Sequence, residues 1–431
     1  MFRFLFALLV AVSTVASVQA QHHEPCGSHH YVDALEAAYP GFRQATNQVY
    51  ERVRAEGQSR DLTLLTIPVV VHVVYQNEDQ DLSEEQIQSV LDVMNEDFRR
   101  LNADADQVRE EFLPVVADAF IEFELAAVER VSTTSTFELD LFGGTLPDNV
   151  KRSADGGSDA WDTERYLNIW VCNIEGGALL GYAYPPAGLD NWPEGVSAPS
   201  PELDGVVIHF EMFRRTGEFT TTGLLGLGEV TIPVRGRTIT HEIGHYLGLR
   251  HIWGDGQLAV IGIPDCEADD GVADTPNQGL SSQFTCEPTN NGCDEGMGDL
   301  PDMWENYMDY AREDCQNSFT MGQVDIMRSV LMNERAGLVE GSVNTQDLFA
   351  LTDAISLQPN PAHAYTMLRW ADGANYDGAT VRLLTSTGQE VRQWVWNDQQ
   401  LELSTADLPA GLYFVEVANA EGRGIQRLVV N

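Results

Sequence analysis

Three histidines at 241, 245 and 251, with a glutamate after the first and a glycine at 248, constrain this chain more than any other feature. Thr238 to Trp253 reads T-I-T-H-E-I-G-H-Y-L-G-L-R-H-I-W. His241 and His245 are four apart, so on a helix they lie about 40° apart around the axis and one turn along it. His251 comes six residues later, and a continued helix would turn it roughly 240° away. It can join the other two only if the helix ends between them. Gly248 allows that ending, because glycine adopts the left-handed conformation that closes helices. The window therefore predicts a helix that stops at Gly248 and three imidazoles facing one point.

Three convergent neutral imidazoles suit one zinc ion and leave a fourth position for a water whose pKa such an ion lowers towards about 7. Glu242, one residue round the helix, does not ligate from the same face. It is positioned to take a proton from that water and pass it to a leaving amine. A single histidine on an apolar helix is by default a satisfied structural residue. Five specified positions in eleven residues arise by chance in about one chain of this length in ten thousand, so the metal reading prevails. His72 and His209, in strand-like apolar runs, read instead as core or rim residues.

Composition bounds the partners. Asp and Glu outnumber Lys and Arg by 66 to 25, and the net charge of −41 repels nucleic acid and anionic membrane surfaces. Those carboxylates either form a plain solvated surface or include groups that hold calcium or attract basic substrates. Arg3, the apolar run Phe4 to Val12 and the small residues up to Ala20 read as an export signal over 1–20. No later segment has the roughly 18 apolar residues of a membrane helix. An exported chain can carry disulfides. Of six cysteines, those at 266, 286, 293 and 315 crowd into a loop-rich stretch, which predicts two local bridges there.

Length favours a large domain plus a smaller one. Residues 21–60 are polar and helix-like, and read as a leader. Leu64 to Tyr75 is a β-branched run and predicts a strand; Ser83 to Leu101 predicts an amphipathic helix with Ser83 as N-cap and Ile87, Val90, Leu91, Met94 and Phe98 as one apolar stripe. Further strands are expected at Ile121 to Arg130, Leu167 to Cys172 and Val206 to Phe210, and a helix at Met321 to Asn333. The main unit, 61–340, is thus an α/β (α+β) domain. After a linker at 341–352, short alternating segments over 353–431 predict a small all-β sandwich.

The histidine window, followed by Asn306-Tyr307-Met308-Asp309-Tyr310, resembles the metzincin clan with its methionine-containing turn. With I-P-V-V-V-H-V-V-Y at 67–75 and L-N-I-W-V-C at 167–172, residues 64–335 resemble more narrowly the pappalysin family of metzincin zinc metalloproteases, in the style of its bacterial and archaeal members. The resemblance implies a secreted, monomeric endopeptidase acting on proteins or peptides, with one catalytic Zn2+ on His241, His245 and His251. Glu242 would be the proton shuttle, Tyr310 an oxyanion donor and Met308 the apolar base under the ion. It further implies the pairs Cys266–Cys293 and Cys286–Cys315, and Asp314 as the carboxylate that selects Arg or Lys at P1′. Structural Ca2+ is implied on Asp269, Asp270, Asp274 and Thr275.

Cys26, upstream of the domain, admits three readings: a thiolate that caps the zinc and keeps a zymogen latent, a disulfide to Cys172, or an idle thiol. With a preference for arginine, Arg54 or Arg60 would lie near the self-cleavage points. The tail carries I-S-L-Q-P-N-P-A at 355–362, V-R-L-L-T-S-T-G-Q-E-V at 381–391 and L-P-A-G-L-Y-F-V-E-V at 408–417. It resembles the sorting domain of type IX secretion, which implies a Gram-negative exporter and contact with that machinery. A substrate-binding or adhesive sandwich is the alternative for the tail, and a zinc-stabilised adhesin the non-enzyme rival for the whole.

Overall fold

The computed structural model describes residues 26, 28, 36, 41–56, 63–139, 146–175, 179–186, 200–222, 229–255, 263–296, 298–339, 355–370, 379–385, 390–396, 400–406, 408–419 and 422–430. The export signal at 1–20, the histidines at 22, 23, 29 and 30, Arg60 and the linker at 341–352 lie outside the described residues.

A helix, α1 (Phe42–Glu56), precedes the first strand, β1 (Leu65–Tyr75). β1 is apolar along both faces because both are covered. Ile67, Val69, Val71 and Val73 enter the main core, and Val74 enters a second cluster with Trp170 and Phe137. That two-sided burial explains an unbroken apolar run rather than alternation. Pro68 is tolerated inside this strand beside a register shift between Val69 and Val70, where the ladder is already irregular.

The helix α2 (Glu84–Phe98) starts at Ser83 with the full capping box to Gln86, and buries Ile87, Val90, Leu91, Met94 and Phe98 against the sheet. Strands β2 (Val116–Ala117), β3 (Ile121–Ser132), β4 (Phe137–Glu138), β5 (Leu167–Cys172), β6 (Ile174–Glu175), β7 (Gly181–Ala183) and β8 (Val206–His209) follow. The central sheet has the order β3-β1-β5-β8-β7. Its first four strands run parallel, and the edge strand β7 is antiparallel to β8.

A hairpin of β9 (Gly217–Thr222) and β10 (Glu229–Val234) leads into α3 (Arg237–Tyr246), the helix with the first two histidines. α3 packs beneath β7 and β8. A long loop stapled by Cys266–Cys293 and Cys286–Cys315 leads to β11 (Phe319–Thr320) and α4 (Met321–Met332). Cys26 and Cys172 are both free and buried, so the disulfide between them is not formed.

The tail forms β12 (Ile355–Gln358), β13 (Tyr365–Trp370), β14 (Ala379–Thr385), β15 (Glu390–Trp396), β16 (Gln400–Ser404), β17 (Gly411–Asn419) and β18 (Gly422–Val430). They make two antiparallel sheets, β12-β13-β16 and β15-β14-β17-β18, around a separate core that includes Val381, Leu383, Trp396, Val415 and Val417. No helix among the described residues is long and apolar enough to cross a membrane.

Candidate metal centre

α3 ends where the sequence requires. Leu247 caps it, and Gly248 takes a left-handed φ of 93°, which turns the chain so that His251 faces back. The three Nε2 atoms then lie 3.1 Å (His241–His245), 3.0 Å (His245–His251) and 3.3 Å (His241–His251) apart. Tetrahedral zinc with Zn–N bonds near 2.05 Å sets its nitrogens about 3.3 Å apart, so the spacing matches. Every Nδ1 donates elsewhere: His241 to Tyr307 O at 2.7 Å, His245 to Leu249 O at 2.8 Å, and His251 to the Asp255 carboxylate. Those bonds put the proton on Nδ1 and leave three Nε2 lone pairs aimed at one point. Burial pushes His241 down to about 3 and His245 well below its ordinary value, with His251 adding to both shifts. Neutral, convergent imidazoles fit a zinc ion.

Cys26 completes the cluster. Its Sγ and the three histidines offer ligand atoms that all lie within 4.8 Å of one another. Residue 26 also bridges to Gly181 on the edge strand β7, in parallel orientation. Its thiol donates to Glu242 Oε2 at 3.3 Å, and Ser28 Oγ donates to the same oxygen at 3.1 Å. Burial pushes the Glu242 carboxyl up to about 8, against the lowering effect of those two bonds. Its Oε1 has no partner among the described residues.

Met308 lies directly under α3. A methyl at Gly244 would stand 2.4 Å from Met308 Sδ, so only glycine lets the turn approach. Tyr310 packs its ring against His251, His241 and Trp253, and its hydroxyl donates to Cys26 O at 3.5 Å.

A small pocket opens beside His241 and Glu242, and its lining includes Asp309 and Glu313. Asp314 is not in that lining. It is paired with Arg312 at 2.9 Å in a partly exposed position. Glu313, one residue earlier, is buried and accepts from Thr238 N at 2.8 Å and from Arg235 N. In the loop after the metal window, Asp270 is buried and accepts from Thr275 Oγ1 and Val272 N, while Asp269 accepts from Gly271 N. Asp274 accepts from Gly322 N. The structure does not gather these carboxylates into a metal-holding cluster among the described residues. His72 is held between Ser158 and Asn168 inside the sheet, and burial lowers His209 to about 4, so both belong to the packing.

Sequence reasoning missed Asp255, Ser28, Gly244, Glu313 and Asp97. Asp255 had a signal, since it follows His251 by four residues within a turn; the others depend on segments far apart in the chain.

A zinc site built from two histidines on a helix and a third just past its end, beneath the edge of a mixed sheet and with a glutamate beside them, defines a zinc metallopeptidase. Residues 227–332 match the family model described as pregnancy-associated plasma protein-A, and residues 356–431 match that of the secretion system C-terminal sorting domain. Mature mirolysin of Tannerella forsythia, solved with a cleaved peptide, is 40% identical at a TM-score of 0.53, covering 64% of this chain and 96% of that one. A promirolysin mutant of the same organism is 36% identical at a TM-score of 0.60, covering 74% of this chain and 98% of that one. An extracellular metalloprotease of Arthroderma otae is 32% identical over 245 residues, 51% of this chain and 73% of the relative. The chain belongs to the pappalysin family of zinc metallopeptidases. With its sorting domain it is a secreted or cell-surface enzyme.

Proposed function

We propose that this chain is a zymogen of a monomeric endopeptidase in which Cys26 caps the metal centre. The observation that carries the reading is the Cys26 thiol, buried among His241, His245 and His251 and hydrogen-bonded to Glu242. Zinc held by the three imidazoles would supply a Lewis acid for the scissile carbonyl and a water of lowered pKa. Glu242, buried beside the three imidazoles, takes the proton and delivers it to the leaving amine. Tyr310, freed from the Cys26 carbonyl, donates to the oxyanion.

The leader is anchored well beyond Cys26. Tyr50 donates to Gly248 O, Arg52 pairs with Glu334, and Arg54 donates to Gly271 O. Cleavage between α1 and β1 would release both the helix and the thiol. The P1′ residue is basic and enters the cavity beside His241. Glu313, which lines it, supplies the selecting carboxylate in place of Asp314, one residue further along. Calcium is proposed at the loop of Asp269, Asp270, Asp274 and Thr275, supported by the buried Asp274 Oδ1 that has no partner among the described residues. The tail addresses the chain to the type IX machinery.

A peptide-library digest with four proteins tests these roles together. Glu242→Ala is expected to keep one zinc per chain and lose activity by several orders of magnitude; full activity would sink the assignment. Cys26→Ala should be active before any processing. Glu313→Gln should lose the preference for arginine at P1′, whereas loss in Asp314→Asn alone would return that role to Asp314.

A further inference from the structure

Two of the three histidines are oriented by acceptors close in the chain. His245 Nδ1 donates to Leu249 O and His251 Nδ1 to Asp255, each four residues away. His241 differs. Its Nδ1 donates to Tyr307 O, 66 residues along the chain, in the segment that also carries Met308. The direction of His241 Nε2 therefore depends on the placement of that turn against α3, which the sequence of α3 alone does not set.

One buried side chain makes that placement. Asp97, in the last turn of α2, is 4% exposed. Its Oδ1 accepts from Tyr307 Oη at 2.8 Å and its Oδ2 from Thr240 Oγ1 at 2.9 Å. Thr240 immediately precedes His241. Arg237, in the first turn of α3, stands 3.6 Å from Asp97 through Nε, and its other nitrogens hold Asp104 and the backbone carbonyls of Glu313 and Gln316. A single carboxylate thus bridges the helix that carries His241 and the residue whose carbonyl orients it.

We propose that Asp97 is a positioning residue of the metal centre, which sets the tautomer and direction of His241 by clamping Tyr307 against Thr240. It touches neither metal nor substrate and acts only through these two partners. An imidazole whose Nδ1 acceptor is displaced loses both its preferred tautomer and its aim, and groups that orient ligands in this way typically carry 10- to 100-fold in metal affinity. The inference rests on the zinc reading of the three histidines.

The test is zinc affinity by chelator competition on the full chain, with Cys26→Ala as the common background so that the thiol does not contribute. Tyr307→Phe keeps the ring, which packs on Phe319, and removes only the bond to Asp97. It should weaken zinc about tenfold, as should Asp97→Asn, and the double variant should be no weaker than either single one, because both break one route. Cobalt-substituted samples should show the same variants with shifted visible bands. Asp104→Asn removes a partner of Arg237 but of neither Tyr307 nor Thr240, and should leave zinc affinity unchanged. Zinc affinities within about twofold of the background in both variants, with only melting temperature lowered, would overturn the proposal. If Asp97→Asn does not fold, Tyr307→Phe decides alone. A background protein that binds no zinc would instead overturn the metal reading itself.

Discussion

Asp309 carries one carboxylate oxygen that accepts from Ser282 N, Tyr310 N and Gln278 Nε2, and a second, Oδ2, with no partner among the described residues. Burial pushes its pKa up to about 7, with the nearby Asp302 adding to the shift and the bonds from Ser282 and Tyr310 opposing it. The folded state therefore binds this proton more tightly than the unfolded chain does. The stability Asp309 contributes is fully present below its ordinary value near 4 and is lost as pH rises through about 7. Asn at this position keeps an acceptor for the three donors and cannot ionise. Asp309→Asn should match the parent in urea midpoint near pH 4 and exceed it by a few kcal/mol of stability at pH 8; parallel pH curves would refute this. At this scale the legible residues were those fixed by local spacing: His241, His245, Gly248 and His251, with Glu242 between them. Ser28, Asp97 and Glu313 were not legible, because each acts on a partner at least 75 residues away and no periodicity announces such a contact.

Among the elements, α3 shows two physical demands in conflict. Glycine inside a helix costs about 1 kcal/mol relative to alanine, so Gly244→Ala would ordinarily stabilise. Here the added methyl meets Met308 Sδ at 2.4 Å, and overpacking of that kind costs typically 1–3 kcal/mol. The clash outweighs the propensity, and Gly244→Ala should lower stability and displace the turn that carries the acceptor for His241. In a Met308→Ala background the sulfur is gone, and the same substitution should become neutral or stabilising. An equal cost in both backgrounds, measured by denaturant titration, would show that the close approach is not the cause. Elements with strong periodicity or caps, such as β1 and α2, were readable to within a few residues. The hairpin of β9 and β10 was not, since Gly217–Thr222 is a polar segment whose pairing supplies the order its composition lacks.

For the whole molecule, the two hydrophobic cores share no residue, and the described part of the first unit closes with a latch at its C-terminal end. Arg335 is buried; its guanidinium donates to Tyr246 O at the end of α3, to Tyr184 O just past the edge strand, and to Asp204 through two nitrogens. Leu338 and Val339 then enter the main core. The sequence suggested a boundary near 340 from composition, but gave no sign that the last residues before it hold the metal helix and the edge strand together. Removing the tail should therefore be harmless only beyond Val339. A chain ending at Val339 is expected to keep the melting transition and zinc content of the parent's first unit. One ending at Asn333 loses two buried aliphatic side chains, roughly 1.5–3 kcal/mol each, and leaves Asp204 without its partner, at about 3–5 kcal/mol. That sum is comparable to the whole stability of an ordinary domain, so the shorter chain should fail to fold or melt far lower. Calorimetry on the two truncations decides it: equal melting temperatures would show that Arg335 and the segment after it are dispensable, and that the catalytic unit ends earlier than its latch.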